Sequence, residues 1–557
     1  MSQGKSTTCG IDTGFSKFFE FRNDWEKRSF ISCGAAAGVA AAFGAPIGGV
    51  LFCLEEGDSF ISPALMLRTF FSAVTAALIV DLFLSFLYDN VNFGSLSQPG
   101  MLSFGSFALQ DEISPYQAWE LISFGAIGAI GGIFGGLFNL FNLFLSSRRR
   151  KRGRLPYTEA TVASILSSLV ACISPYVLLA TSKCIPVDHC VTETISAQSI
   201  GLETPTQFFC QKGEFDIDAT ISFNPSESVI KYLFHAPEKC SPNLLSSSFF
   251  FVFYTFLACF SYGLAIPAGL FVPGILSGAL YGRVAGTCLL KLYHYHGIVS
   301  HAPVGVYSLV GAAAMLGGIS RICVALVVIL IECTGDMQLS VPCMVAVFMA
   351  RIFGDLISGG IYDMHIEIAN LPFLPFHPPP YYSIVCVSNV MSKDPHSILP
   401  VEKSEVIFEL LSTTSHSAFP VVDKNKKLLG LMLRKHLSVL MSKTFKHRVF
   451  QNSEIAEEVG TLSWMDLEGK YPRYPQFTAL AEEERQKFVD VRPYMNRSPH
   501  LLNEVASAKQ AFRLFREVGL RHLIVINNAL QVTGIITRKD LQLDVVSKKY
   551  DKQRKVP

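Results

Sequence analysis

Residues 34–56 read GAAAGVAAAFGAPIGGVLFCLEE. Small residues let helix backbones approach closely inside a bilayer. Pro46, set among glycines, breaks the helix, and a broken helix at membrane depth is tolerated only beside protein or a watery cavity. The stretch ends in two adjacent carboxylates, Glu55 and Glu56, which are costly at the end of an apolar segment unless they have a task. The segment therefore points to an ion path in a membrane protein.

Composition agrees. The chain has 557 residues, of which 50% are hydrophobic and 17% charged, with a net charge of +2. That profile fits a multi-span membrane protein carrying a polar appendage and gives no footprint for nucleic acid. Residues 1–28 are polar and read as a cytosolic segment without a secretory signal. Apolar stretches follow at roughly 30–54, 64–88, 119–146, 158–181, 246–266, 269–292, 304–331 and 339–358, within a membrane domain spanning 29–375. Their glycines and prolines predict tilted, broken helices. The stretch from Tyr88 to Glu120 has no Lys or Arg and reads as luminal, whereas the basic run Arg148–Arg154 reads as cytosolic. That run is a stop signal or a lipid-headgroup site. Of fourteen cysteines, Cys184, Cys190, Cys210 and Cys240 share one polar loop of about 182–242. One or two disulfides are expected there, with the pairing open and zinc as the weaker option.

After residue 375 the composition changes. A stiff connector at 376–385 contains Pro378, Pro379 and Pro380. Then comes an internal repeat. Met391, Phe408, Val421, Gly430, Arg434 and Leu437 recur as Met495, Phe512, Val525, Gly534, Arg538 and Leu541, each 104 positions on. Each copy reads helix, strand, turn, strand, helix, with the strands AFPVVD and LLGLML in one, HLIVIN and VTGIIT in the other. The copies span 386–443 and 489–546, a polar linker at 444–488 separates them, and a tail of 547–557 closes the chain.

Two further motifs carry chemistry. GLAIPAGLFVPG at 263–274 places prolines at a helix start, where free N–H groups and the helix dipole can hold a dehydrated anion without any cationic side chain. A Pro-kinked packing helix is the alternative. GGIYDMHIEI at 359–368 carries Tyr362, whose hydroxyl either donates to an anion or anchors at the interface.

Together, GAPIGGVLFCLEEG, the G-x-F-x-P string of Gly269–Pro273, GAAAMLGGISR at 311–321, GIYDMHI at 360–366 and the paired repeats resemble the CLC chloride channel and transporter family, with the repeats resembling tandem CBS modules. The resemblance implies a mainly α polytopic membrane domain followed by an α/β cytosolic CBS pair, and a transporter rather than an enzyme. LEEGDSF, YPRYP and GLRHLIV look nearest to its lysosomal and late-endosomal branch, which exchanges chloride for protons. Carried over by position, the amides of Leu270 and Phe271 and the hydroxyl of Tyr362 match the chloride site. Glu56 matches the internal proton glutamate, with Glu55 as a structural partner. In the CBS pair, His416, Ser417, Thr537 and Asp540 match positions that line an adenine nucleotide. The same resemblance implies chloride and protons as the transported species, a homodimer and an accessory membrane subunit.

The family strings GSGIPE and GKEGP, which supply a serine of the chloride site and the gating glutamate, do not occur. In the family they lie upstream of where this chain begins. A partial sequence, a short isoform or a true truncation would all look this way, and coupled exchange is expected to fail without them. A passive channel and a non-conducting regulatory subunit are the competing readings. Glu56 argues against the first, and the missing strings favour the second.

Overall fold

The computed structural model describes residues 24–57, 62–88, 102, 104–105, 116–152, 156–178, 184–190, 205–264, 266–369, 371–375, 377–442, 445–452, 462–467 and 480–554. Two compact units divide the chain: Ile31–Asn370, and Leu371–Pro557 together with Met1–Phe30.

The first unit is helical. Helix α1 (Asp24–Phe43), of which this unit takes the part from Ile31 on, already includes residues 24–28 of the segment read as a polar terminus, while 1–23 lie outside the described residues. The chain breaks at Gly44, whose φ of 62° is left-handed, and restarts as α2 (Pro46–Phe52). A π-helical turn, Cys53–Gly57, carries Glu55 and Glu56. Then follow α3 (Pro63–Tyr88), α4 (Glu120–Arg152) and α5 (Pro156–Val177). Shorter helices α6 (Ile217–Phe223) and α7 (Ser226–His235) lead to α8 (Leu244–Ser261) and α9 (Phe271–Tyr295). The unit closes with α10 (Val304–Ser320), α11 (Val324–Thr334), α12 (Ser340–Asp355) and α13 (Ile361–Ile368). Among the described residues, five helical stretches are long and apolar enough to cross a membrane: Pro63–Phe86, Glu120–Arg150, Tyr157–Val177, Leu244–Ser261 and Met337–Asp355. The apolar run 304–331 is two helices, because Arg321 takes φ 67° and ends α10.

Helix α10 is buried along its whole length, the expected place for a helix apolar all round. Glycine makes that possible. A Cβ on Gly282 of α9 would sit 2.5 Å from the Tyr307 carbonyl oxygen and 2.9 Å from Gly311 Cα of α10. On α4, Gly135 lies against the Gly318 backbone, and Gly128 and Gly132 lie against Ala346 and Ala350 of α12. Close backbone approach of this kind replaces the hydrophobic drive that lipid removes.

The polar loop is stapled twice, Cys184 to Cys210 and Cys190 to Cys240. All four loop cysteines are thereby spent, which settles the open pairing and removes them as zinc ligands. Between the staples, Cys184–Pro186 pairs antiparallel with Glu214–Asp216.

In the second unit each repeat copy forms a hairpin, Ala418–Val422 with Leu428–Leu433 and Leu523–Ile526 with Val532–Ile536. The copies exchange their leading segments. Ser392–Lys393, ahead of the first hairpin, pairs with Gly534 and Ile535 of the second. Asn496, ahead of the second, exchanges backbone hydrogen bonds of 2.9 Å with Leu431 of the first. The exchange explains two repeated residue types. A Cβ on Gly430 would stand 2.8 Å from Met495 Sδ, and one on Gly534 would collide with Met391 Sδ. Each methionine crosses the other copy's glycine.

Three segments read as connectors are built into this unit. Tyr382 in the proline-rich stretch is buried, meets Phe512 edge to face with ring centroids 5.6 Å apart and donates to the Leu541 carbonyl at 2.9 Å. The linker of 444–488 has core after all: Val449, Leu462, Leu467 and Leu480 are buried in the first module. Phe450–Gln451 and Phe488–Asp490 join Val401–Lys403 in a three-stranded sheet. YPRYP at 471–475 lies outside the described residues. The tail is largely the helix Leu543–Arg554, anchored by Val546 and by Lys549 Nζ donating to the Val390 carbonyl at 2.9 Å. Polar composition hid these contacts, because single apolar anchors spaced through a hydrophilic stretch give no periodic signal.

Gly430→Val and Gly534→Val are each expected to destabilise the second unit by about 1–3 kcal/mol through overpacking of the exchanged segments. Thermal denaturation of the purified chain, followed by near-ultraviolet circular dichroism, checks this. Transitions that coincide with the unmodified chain would disprove the exchange.

Candidate functional site

Broken helices leave peptide groups without partners, four N–H groups at each start and four carbonyls at each end. In the first unit, carboxylates close two of those starts. Glu55 accepts from the amides of Cys323 at 2.7 Å and Ala325 at 3.0 Å, capping α11. Glu332, near the far end of α11, accepts from Ile47 at 3.2 Å and Gly48 at 2.8 Å, capping α2. Each helix thus carries at its C-terminal end the acid that caps the other's N-terminus, where the helix dipole favours negative charge. Gly48 lets the pair close up, since a Cβ there would meet Ile329 at 2.5 Å.

Glu56 is differently placed. It is exposed, and among the described residues no hydrogen bond holds its carboxylate. It lies within electrostatic range of Asp363 and Glu55. Tyr362, half-buried against the core, lies within range of Glu56 and Tyr262. Among the described residues its hydroxyl also has no hydrogen-bond partner. The fold therefore brings Glu56 within electrostatic range of both Tyr362 and Asp363, residues far from it in sequence.

Leu270 is buried at the start of α9, and no side chain caps that start. Phe271 sits under two aromatic rings, Phe43 at 5.9 Å and Phe52 at 5.8 Å between centroids. Those rings belong to α1 and α2, so the break before α9 packs against the break that leads to Glu56. Beside Gly269 and Pro273 opens a cavity of about 470 Å³, walled partly by the hydroxyls of Ser174, Ser222 and Ser261.

In the second unit, Thr537 and Asp540 face each other. The Asp540 carboxylate accepts from both the Thr537 amide and hydroxyl at 2.8 Å. Ser417 shares a hydrogen bond with His522 at 2.9 Å, and the His416 ring lies 5.7 Å from that of His396. His436 stands where the first copy matches Asp540, and it is buried. Burial, with Lys435 beside it, pushes the His436 imidazole down to about 4. Burial beside Arg521 does the same to His522.

Sequence reading did not single out Glu332, Asp363 or His365. Glu332 carried the signal that exposed Glu55 and Glu56, a carboxylate in an apolar run (VVILIECT), and could have been found by it. The other two sit inside GGIYDMHIEI but gain their meaning only from helices distant in sequence.

Residues 6–355 match the voltage gated chloride channel family, and 387–442 and 490–544 match the CBS domain. The human H(+)/Cl(-) exchange transporter 7 is 38% identical over 551 residues, covering 97% of this chain and 66% of the relative. Chloride channel protein CLC-c of Arabidopsis thaliana is 33% identical over 557 residues, covering 97% of this chain and 69% of that relative. The chain thus spans just under two thirds of the human relative's length. A crystal structure of a eukaryotic CLC transporter aligns with a TM-score of 0.59 and 19% identity, over 95% of this chain and 73% of that one. That likeness bears on the fold.

Glu55→Gln and Glu332→Gln each lose a charge and one acceptor at a helix start, costing about 1–3 kcal/mol, whereas Glu56→Gln should leave stability unchanged. Fluorescence-detected thermal unfolding in detergent separates the three, and equal melting of Glu55→Gln and Glu56→Gln would remove the cap from the account. For pH, His436 and His522 bind a proton more readily when unfolded, so their contribution to stability is present above pH 6.5 and is lost as pH falls toward 4. His436→Asn should flatten that acid limb in denaturant titrations of the chain, and an unchanged limb would assign the loss to other groups.

Proposed function

The chain belongs to the voltage gated chloride channel family, and from that premise we propose that it forms the exchange core of a chloride/proton antiporter of an intracellular, lysosomal or late endosomal membrane. Chloride is held by the amides of Leu270 and Phe271 at the start of α9 and by the Tyr362 hydroxyl. Glu56 takes a proton from the aqueous face and passes it inward. One observation carries this reading: Glu56, which has no hydrogen bond among the described residues, lies within electrostatic range of Tyr362, while its neighbour Glu55 has both oxygens engaged. A carboxylate that must load and release a proton cannot also serve as a permanent cap, because protonation would remove half its acceptor capacity. The two adjacent acids divide these tasks.

The uncapped start of α9 supports the anion role. The α2 and α11 starts are closed by carboxylates, whereas the start of α9 at Leu270 and Phe271 has no side-chain cap among the described residues. The protein functions as a homodimer, with an accessory membrane subunit as a further partner. An adenine nucleotide is taken to bind the CBS pair near Thr537 and Asp540, with His416 and Ser417 toward the base and ribose.

The test is chloride-driven proton movement in proteoliposomes, run on the chain alone and on the chain fused to the portion of the human relative that it does not span. Glu56→Ala is expected to abolish proton movement and spare chloride flux. Proton movement undiminished in that variant, or both fluxes lost together, would overturn the role given to Glu56.

A further inference from the structure

Helix α4 carries Asn139, Asn142, Ser146 and Arg149 along one face, at helical spacing. Three of them answer backbone carbonyls that helix ends leave open. The Asn139 amide donates to the carbonyls of Ile319 at 2.9 Å and Gly359 at 3.1 Å. That of Asn142 donates to Cys259 at 2.9 Å and Tyr262 at 3.0 Å. Arg149 donates to Tyr262 at 3.1 Å and Phe260 at 2.5 Å. One hub therefore holds the C-terminal ends of α8 and α10 and Gly359, two residues before α13.

A single ring joins this hub from α13. His365 Nε2 lies 2.8 Å from Asn142 Oδ1. Both N–H groups of Asn142 are committed to carbonyls, so its oxygen must accept, and His365 Nε2 must carry the proton. The edge of the same ring meets Tyr262 with centroids 5.2 Å apart. Directly after Tyr262 the chain turns through Gly263, at φ 85°, where a Cβ would come within 3.0 Å of Ser146 Oγ and 3.3 Å of His365 Cε1. From that turn the chain runs to Leu270 at the start of α9. His365 lies one helical turn beyond Tyr362 on the same helix.

We propose that His365 is a positioning residue for anion recognition: by donating to Asn142 and packing on Tyr262, it sets the Tyr362 hydroxyl against the amides at Leu270 and Phe271. The inference rests on the anion site proposed above. Its chemistry is specific. A donor is required at the position of Nε2, while the contact with Tyr262 is edge-on packing that helps hold the side chain in place. Loss of one such hydrogen bond lets α13 shift relative to the turn at Gly263 and weakens a site assembled from both.

The test is calorimetric titration of chloride into the purified full chain in detergent, with gluconate as the balancing anion. His365→Phe keeps the ring and removes the donor. It is expected to weaken chloride binding about tenfold, the scale of one lost hydrogen bond. His365→Gln retains a donor and should stay within about threefold of the unmodified chain, a rescue that a merely space-filling role would not produce. Should the Phe variant fail to fold, His365→Met, flexible and without a donor, takes its place. Chloride binding of the folded Phe or Met variant equal to that of the unmodified chain would overturn the inference alone. A Gln variant as weak as Phe would overturn the donor argument. No chloride binding by the unmodified chain would overturn the anion site, and this inference with it.

Discussion

Everything in the first unit answers to one constraint: a helix that ends inside a bilayer must find partners for its peptide groups within the protein. The clearest answer is the reciprocal clamp of Glu55 and Glu332. Two short helices, α2 and α11, run antiparallel, and each supplies the carboxylate that neutralises the other's first turn. Neither helix is long enough to be secure alone, since short helices draw their stability from tertiary contacts. The carbonyl ends are answered by the opposite kind of group. Arg283 of α9, fully buried, donates to the carbonyls of Leu233 and Ala236 and to the Ser241 hydroxyl, and Asn139, Asn142 and Arg149 do the same from α4. Acids at helix starts and amides or guanidinium groups at helix ends make up one network.

That network depends on distance, and glycine sets the distance. The polar side chains of α4 reach carbonyls on α8 and α10 only because Gly128, Gly132 and Gly135 allow its backbone to touch α12 and α10 directly. A methyl group at any of these positions would push α4 away and leave Asn139 short of Ile319. Close packing and polar satisfaction are here the same requirement seen from two sides.

Much of this was legible in the sequence. The broken helix at Pro46, the acids after it, the unaided helix start near Leu270, and the repeat at a spacing of 104 residues all leave local marks: a proline among glycines, a charge in an apolar run, a matched register. What was not legible is pairing across distance. Asn142 and His365 are 223 residues apart, and nothing in FNLFNLF says which carbonyls its asparagines will meet. The exchange of leading segments in the CBS pair was hidden for the same reason. Gly430 and Gly534 were visible as a repeated residue type, but their cause is a methionine from the other copy. The linker of 444–488 misled because its buried residues are isolated among charges, and burial by a neighbour leaves no periodicity.

The π-helical turn at Cys53–Gly57 gives the division between Glu55 and Glu56 its physical basis. Adjacent residues on a regular helix point about 100° apart, so two neighbouring acids cannot both face one partner helix. The turn places Glu55 beneath α11, where two amides hold it, and leaves Glu56 exposed, outside that cap and within electrostatic range of Asp363. Fixing the first acid fixes the backbone from which the second projects. A proton-carrying group needs this combination, a rigid root and an unbound head, because a carboxylate on a mobile root would wander from Tyr362 and one with a bound head would not release its proton. The clamp that secures the fold is therefore also the mount for the group proposed to carry the proton.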